Sequence, residues 1–267
     1  MRLADSHCHV DFPAFGKDRQ AVLQRARQEG VELLVLAGCA RERARRTGAL
    51  QLCLEHPGYL YLVCGVHPHE TEGIDEADHD HVAELARQGQ LVGIGETGLD
   101  FFHDFSERDA QRAAFRRFLR LARRVELPVV IHTRDAEPDT LRILAEEGLP
   151  ARGGVIHCFS GSAKLAQAAL EMGLYLGVSG MITYAWAEEL RQTLRRVPLE
   201  RLLLETDAPY LAPLPFRGKR NEPALVRAIA ERLASERGLP VEEVARITTE
   251  SCRKLYRLAA PAPGQSG

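Results

Sequence analysis

The sequence predicts an α/β chain folded as a (β/α)8 (TIM) barrel, and three observations support this. Eight short apolar runs recur along the 267 residues, charged segments of helical period separate them, and six potential metal ligands stand at or just after the runs. The six are His7, His9, Glu96, His132, His157 and Asp207. Barrels of this class carry their sites at the carboxyl ends of the strands, so a metal site is expected at that end.

The first run, 3–9, holds Asp5-Ser-His-Cys-His9. Side chains alternate across a strand, so His7 and His9 are expected to share a face and reach one ion. Helical periodicity follows at 18–28, then a Leu/Val run at 31–37 and a helix at 40–55. The third unit pairs 60–66 with 77–88, and the fourth pairs 91–95 with 107–124, the longest amphipathic stretch so far. Runs 128–132 and 154–157 close on Val129-Val-Ile-His132 and Gly154-Val-Ile-His157 and lead into helices at 140–147 and 163–171. Units seven and eight begin at 174–178 and 202–205, with a helix at 186–196 between them and two more from Pro223 and Val241. Continuous Val/Ile/Leu runs suit parallel strands covered on both faces. An open doubly wound sheet fits less well, because no G-x-G-x-x-G follows an early strand. We assign 1–258 to one barrel domain, and 259–267, rich in Pro, Gly and Ala, to a tail expected to fray.

A net charge of −2 gives no global electrostatic case for nucleic acid, although a local basic patch remains open. No apolar signal core precedes the first ligands and no run approaches membrane-spanning length, so a cytosolic protein off the membrane is expected. The six cysteines show no zinc-type spacing and read as reduced thiols. Alternation should turn Cys8 and Cys158 away from His7 and His157, under the helices.

Imidazoles with carboxylates suit divalent transition ions. Glu96 follows a glycine-rich strand that leaves room beside it and is placed to bridge two ions. Asp207 would be costly to bury unpaired, and reads as a ligand and as the base that takes a proton from activated water. Glu205, a step deeper on the same strand, either supports a ligand or offers a further one. His67 reads as a contact to substrate or leaving group, or as a loop residue; His69 reads as structural. Arg217, Lys219 and Arg220 form an anion clamp or a solvated loop, and Arg134 and the Ser160-Gly-Ser162 turn are further phosphate candidates. Phe101, Phe102, Tyr184 and Trp186 belong either to the mouth or to the core.

Together, Asp5-Ser-His-Cys-His9, Gly65-Val-His-Pro-His69, Gly93-Ile-Gly-Glu-Thr-Gly-Leu-Asp100, Val130-Ile-His-Thr-Arg134, Ile156-His-Cys-Phe-Ser-Gly161, Leu203-Leu-Glu-Thr-Asp-Ala-Pro-Tyr210 and Arg217-Gly-Lys-Arg-Asn-Glu-Pro223 resemble the TatD family of metal-dependent hydrolases. The resemblance runs from about Leu3 to Leu258. It implies two divalent ions (Mg2+, Mn2+ or Zn2+), one held by His7, His9, Glu96 and Asp207 and the other by Glu96, His132 and His157. It also implies deoxyribonuclease activity, for which the residues themselves offer Asp207, Glu96 and His67 as the catalytic groups. Related barrels bridge their metals with a modified lysine, but none of the four lysines ends strand four, which leaves Glu96 as the bridge. Ser251 stands where the family commonly has Asn. The leading expectation is therefore a deoxyribonuclease that trims single-stranded DNA from an end, monomeric and needing no protein partner. The alternative is hydrolysis of a small amide, ester or phosphoester, and a non-catalytic scaffold is the third reading.

Overall fold

The computed structural model describes residues 1–259; residues 260–267, most of the expected tail, lie outside the described residues. Eight strands form one parallel sheet in sequence order: β1 (Leu3–Cys8), β2 (Val31–Gly38), β3 (Leu60–Cys64), β4 (Gly93–Asp100), β5 (Val129–Arg134), β6 (Gly154–Ile156), β7 (Tyr175–Val178) and β8 (Leu202–Leu204). Around them lie α1 (Arg19–Gln28), α2 (Arg43–Glu55), α3 (Glu76–Arg87), α4 (Arg108–Arg124), α5 (Glu137–Glu147), α6 (Ala163–Glu171), α7 (Glu188–Arg196), α8 (Val226–Arg237) and α9 (Val241–Tyr256). The result is the expected (β/α)8 barrel, nearly closed.

Alternation along each strand divides the apolar residues into two layers. Leu34, Leu36, Leu62, Ile94, Ile131, Leu176 and Leu204 pack outward with helix residues such as Val22, Phe115, Phe118 and Ile229. Leu33, Val35, Val63, Val130, Val155 and Leu203 form a second cluster with Cys252, Leu255 and Tyr256 of α9, so the last helix completes the barrel's packed interior. Cys8 joins the outward layer, as alternation predicts.

Two ladders depart from regular pairing where ligand candidates sit. Between Asp5 and Cys8, β1 advances three residues against two on β2, and between Ile94 and Thr97, β4 does the same against β5. His7 and Glu96 lie inside these two bulges, which re-aim side chains that strict alternation would place otherwise. The β4 bulge also explains why Glu96 is not at a strand end. Pairing resumes beyond it and continues to Asp100 opposite Arg134, five residues past the expected boundary at 95.

The seam between β8 and β1 is closed without a regular ladder. Asp207 N–H donates to the His7 carbonyl at 2.9 Å, and His9 N–H donates to the Ala208 carbonyl at 2.8 Å. Below them, fully buried Asp5 accepts from Thr206 N–H at 2.9 Å and from the Thr206 hydroxyl at 2.5 Å. Replacing Asp5 with Ala leaves these donors buried without an acceptor, so D5A is expected to lose about 3 kcal/mol of unfolding free energy. Urea denaturation of metal-free protein measures this, and a loss below about 0.5 kcal/mol would show that the seam does not need the carboxylate.

Candidate metal centre

All six ligand candidates meet at the carboxyl ends of the strands, and the two oxygens of buried Glu96 divide them into two groups. Its Oε2 lies 3.3 Å from His7 Nε2. His7 Nε2 is 3.3 Å from His9 Nε2 and 3.8 Å from Asp207 Oδ1, and His9 Nε2 is 3.4 Å from the same oxygen. Donor atoms about 2.0–2.3 Å from a common ion in tetrahedral array stand about 3.3–3.8 Å apart, so this group has the spacing of a metal site. Oε1 of Glu96 faces the second group, with His157 Nε2 at 2.6 Å, His132 Nδ1 at 2.8 Å and His67 Nε2 at 3.2 Å.

Proton bookkeeping at the imidazoles tests the fit. His9 Nδ1 faces the Ala37 carbonyl at 3.2 Å and so carries a proton, whereas His132 lies between two carboxylates, Nε2 3.1 Å from Asp100 Oδ2 and Nδ1 2.8 Å from Glu96 Oε1. The lone pair of His9 Nε2 therefore points at a carboxylate oxygen, and so does the lone pair on whichever His132 nitrogen lacks the proton. Lone pairs facing at such range require positive charge between them, either a proton or a metal ion. Burial lowers the proton affinity of both rings, but neighbouring carboxylates outweigh it. Asp207 pushes His9 well up, and Asp100 with Glu96 pushes His132 up. Burial likewise opposes ionisation of Glu96, yet the charges of His157 and His67 and hydrogen bonds from His132 and His157 hold it well below the usual carboxylate range. Asp207 is also low, its burial outweighed by His9. The donor set fits divalent cations.

His67 behaves differently. Its Nδ1 accepts the backbone N–H of His69 at 3.1 Å, so the neutral ring carries its proton on Nε2. That nitrogen is a donor, facing Glu96 Oε1 at 3.2 Å on the cavity wall, and has no lone pair for a metal. Glu205 lies beneath His157, its carboxylate 3.6 Å from His157 Nδ1 and bonded to the Cys158 N–H, with Ser6 Oγ donating at 3.3 Å. A Cβ on Gly177 would fall 2.5 Å from this carboxylate, so only glycine leaves room for it.

Several residues escaped the sequence reading. Asp100 receives His69 Nε2 at 2.8 Å and His103 Nδ1 at 2.9 Å besides His132, and Gln111 grips its backbone N–H and carbonyl. Burial opposes its ionisation, but the three imidazoles hold it low. The available signal was the period of two, since Glu96, Gly98 and Asp100 share a face once the strand is allowed to run on. His69 is thus tied to this network. Cys158 is only partly covered: β6 ends at Ile156, Cys158 takes a positive φ of 47°, and it lines the cavity while packing against the outer apolar layer. Cys39 lines the cavity as well.

The cavity over the centre has a volume of about 690 Å³, and Phe12, Arg45, Phe105, Arg134 and Tyr210 stand among its walls. Arg217, Lys219 and Arg220 are not in its lining. Arg220 is drawn to Asp18 at 2.7 and 2.9 Å, and the Arg217 guanidinium lies 4.5 Å over the Tyr184 ring. Of the four aromatic candidates, Tyr184 is buried and Phe101 half-buried, whereas Phe102 and Trp186 are exposed.

A family model described as TatD related DNase matches residues 4–257. The uncharacterized metal-dependent hydrolase YabD of Bacillus subtilis (strain 168) is 40% identical over 256 residues, covering 96% of this chain and 99% of the relative. A 3'-5' ssDNA/RNA exonuclease TatD from Rahnella sp. (strain Y9602) is 38% identical over 251 residues, covering 92% and 95%. Among solved structures, the TatD homologue YjjV of Escherichia coli K12 superposes with a TM-score of 0.89 at 34% identity, covering 97% and 99%.

His67 supplies a test of the site's electrostatics without metal. Burial, only partly offset by Glu96, brings its pKa from 6.5 down to about 4. The unfolded chain then binds this proton first, so its contribution to stability is lost as pH falls from about 6.5 toward 4. NMR titration of metal-free protein should show His67 neutral at pH 6 with a midpoint near 4, and a midpoint above 6 would contradict the arrangement.

Proposed function

Because the chain belongs to the TatD-related DNase family, we propose that this metal-dependent hydrolase of phosphoester bonds works as an exonuclease on single-stranded nucleic acid, DNA before RNA, through a pair of divalent ions that share Glu96. The observation that carries this reading is the division of the Glu96 oxygens between two groups of imidazoles, beneath a cavity walled by two arginines and several aromatic rings. His7, His9, Glu96 and Asp207 would hold one ion, and Glu96, His132 and His157 the other. Such ions supply a water acidic enough to lose its proton near neutrality, and positive charge against the oxygens of the scissile phosphate.

The chain's own groups do the rest. Asp207, kept ionised beside His9 and His7, accepts the proton of the attacking water at its free oxygen. His67 Nε2–H, oriented by the His69 backbone, donates a hydrogen bond to a phosphate or leaving oxygen. Asp100 fixes the tautomer and tilt of His132, and Glu205 with Ser6 braces the floor. Arg134, held over the Phe102 ring at 4.6 Å, and Arg45 present charge to the flanking phosphates. Exposed Tyr210 and Phe105, with Phe12, offer faces to bases, which favours a strand over a small amide or ester. Among the described residues no helix is long and apolar enough to cross a membrane.

The test follows cleavage of end-labelled single- and double-stranded DNA and RNA in Mg2+, Mn2+ and Zn2+. Release of single nucleotides from single-stranded DNA, abolished by chelator, is the expected outcome, and activity undiminished after chelation and dialysis would exclude the metal reading. Asp207→Asn keeps shape and one coordinating oxygen but removes the base, so turnover at saturating metal should fall at least about 100-fold while strands still bind. Near wild-type turnover there would take the role from Asp207.

A further inference from the structure

Beside the candidate metal centre lies a second cavity of about 460 Å³, within the roughly 300–1,000 Å³ range of ligand sites. The end of β5, the start of α5 and the segments after β6 and β7 form it, from Arg134, Asp135, Glu137, Ser160, Met181 and Trp186. Arg134 lines both cavities, so the two are neighbours across one guanidinium. Trp186 is 60% exposed although it is the chain's sole tryptophan. Its indole rests 5.6 Å from the buried Tyr184 ring, whose hydroxyl is anchored on the Ala212 carbonyl at 3.0 Å. A large apolar surface is thus held in solvent on a fixed support.

Resting on the nuclease reading above, we propose that this cavity is a nucleobase subsite, in which Trp186 stacks a base of the strand one or two residues from the scissile phosphate while Arg134 takes the phosphate between. Charge selects the base over the phosphate as occupant. Asp135 and Glu137 line the cavity, and Glu137 accepts from the Ser162 N–H and hydroxyl at 2.7 and 2.6 Å, so two acidic side chains stand in its wall. A phosphate would be repelled, whereas a base is neutral and presents a π-face to indole. The stacking is indifferent to sequence, because every base has such a face. The subsite would therefore set how short a strand the enzyme grips, without setting which bases it prefers.

The lone tryptophan makes the proposal directly measurable. In Mg2+, the Asp207→Asn protein keeps a strand intact, and a ten-nucleotide DNA strand should quench its fluorescence, while an equally charged strand of abasic residues should bind with little quenching. In the Asp207-containing enzyme, Trp186→Ala should raise KM for the same strand about 10-fold, and Trp186→Phe should recover most of that loss. A labelled strand that binds without changing tryptophan emission, equal quenching by the abasic strand, or an unchanged KM in Trp186→Ala would each overturn the subsite. The two readings fail separately. Quenching by strands that are never cleaved would defeat the nuclease function and keep the subsite, and cleavage without quenching would do the opposite.

Discussion

One carboxylate has to serve two sets of imidazoles, and the upper end of the barrel is built around that demand. Glu96 can turn an oxygen to each side only because β4 bulges at its position, and the bulge needs backbone to run where side chains cannot fit. A Cβ on Gly95, whose φ is +139°, would fall 2.4 Å from the Val130 carbonyl, and one on Gly65 would fall 2.8 Å from Gly95 itself. The matching bulge in β1 brings His7 up to the same point. Outside this ring a second layer of acceptors, the Ala37 carbonyl behind His9 and Asp100 behind His132, orients two of the imidazoles. Remove either layer and the lone pairs no longer converge.

This arrangement works against stability. His7 and His157 stack at 4.1 Å, and the Nδ1 atom of each is buried without a hydrogen-bond partner. Such groups weaken a folded chain unless something offsets them, and here the offset lies in the two apolar layers and α9. Separating an apolar body from a polar rim lets the rim be tuned for chemistry while the body keeps the fold.

The architecture was legible because each strand and helix carries its own period, and the meeting of the six candidate ligands was legible because histidines and carboxylates at the ends of apolar runs have few other uses. What escaped depended on geometry between elements. Asp100 lay beyond an expected strand end, since a bulge leaves no mark in hydrophobic pattern, and so its grip on His132 could not be read. Cys158 was misdirected by alternation carried past the point where β6 stops. Arg220 had the charge for an anion clamp, but only the fold reveals Asp18 beside it. Arg45 from the first turn of α2, and Phe12 and Phe105 from two separate loops, reach the cavity at a meeting that no local pattern records.

The seam between β1 and β8 has a consequence for how the molecule comes into being. Asp5 and Thr206 stand 201 positions apart, and the contacts that close the barrel also bring Asp207 to His7 and His9. Such long-range closure is slow relative to local structure, and a chain emerging from the ribosome displays its N-terminal histidines long before their acidic partner exists. The cluster of six side chains is therefore complete only once the segment after β8 meets β1. A chain that stops short of β8 holds the imidazoles without Asp207.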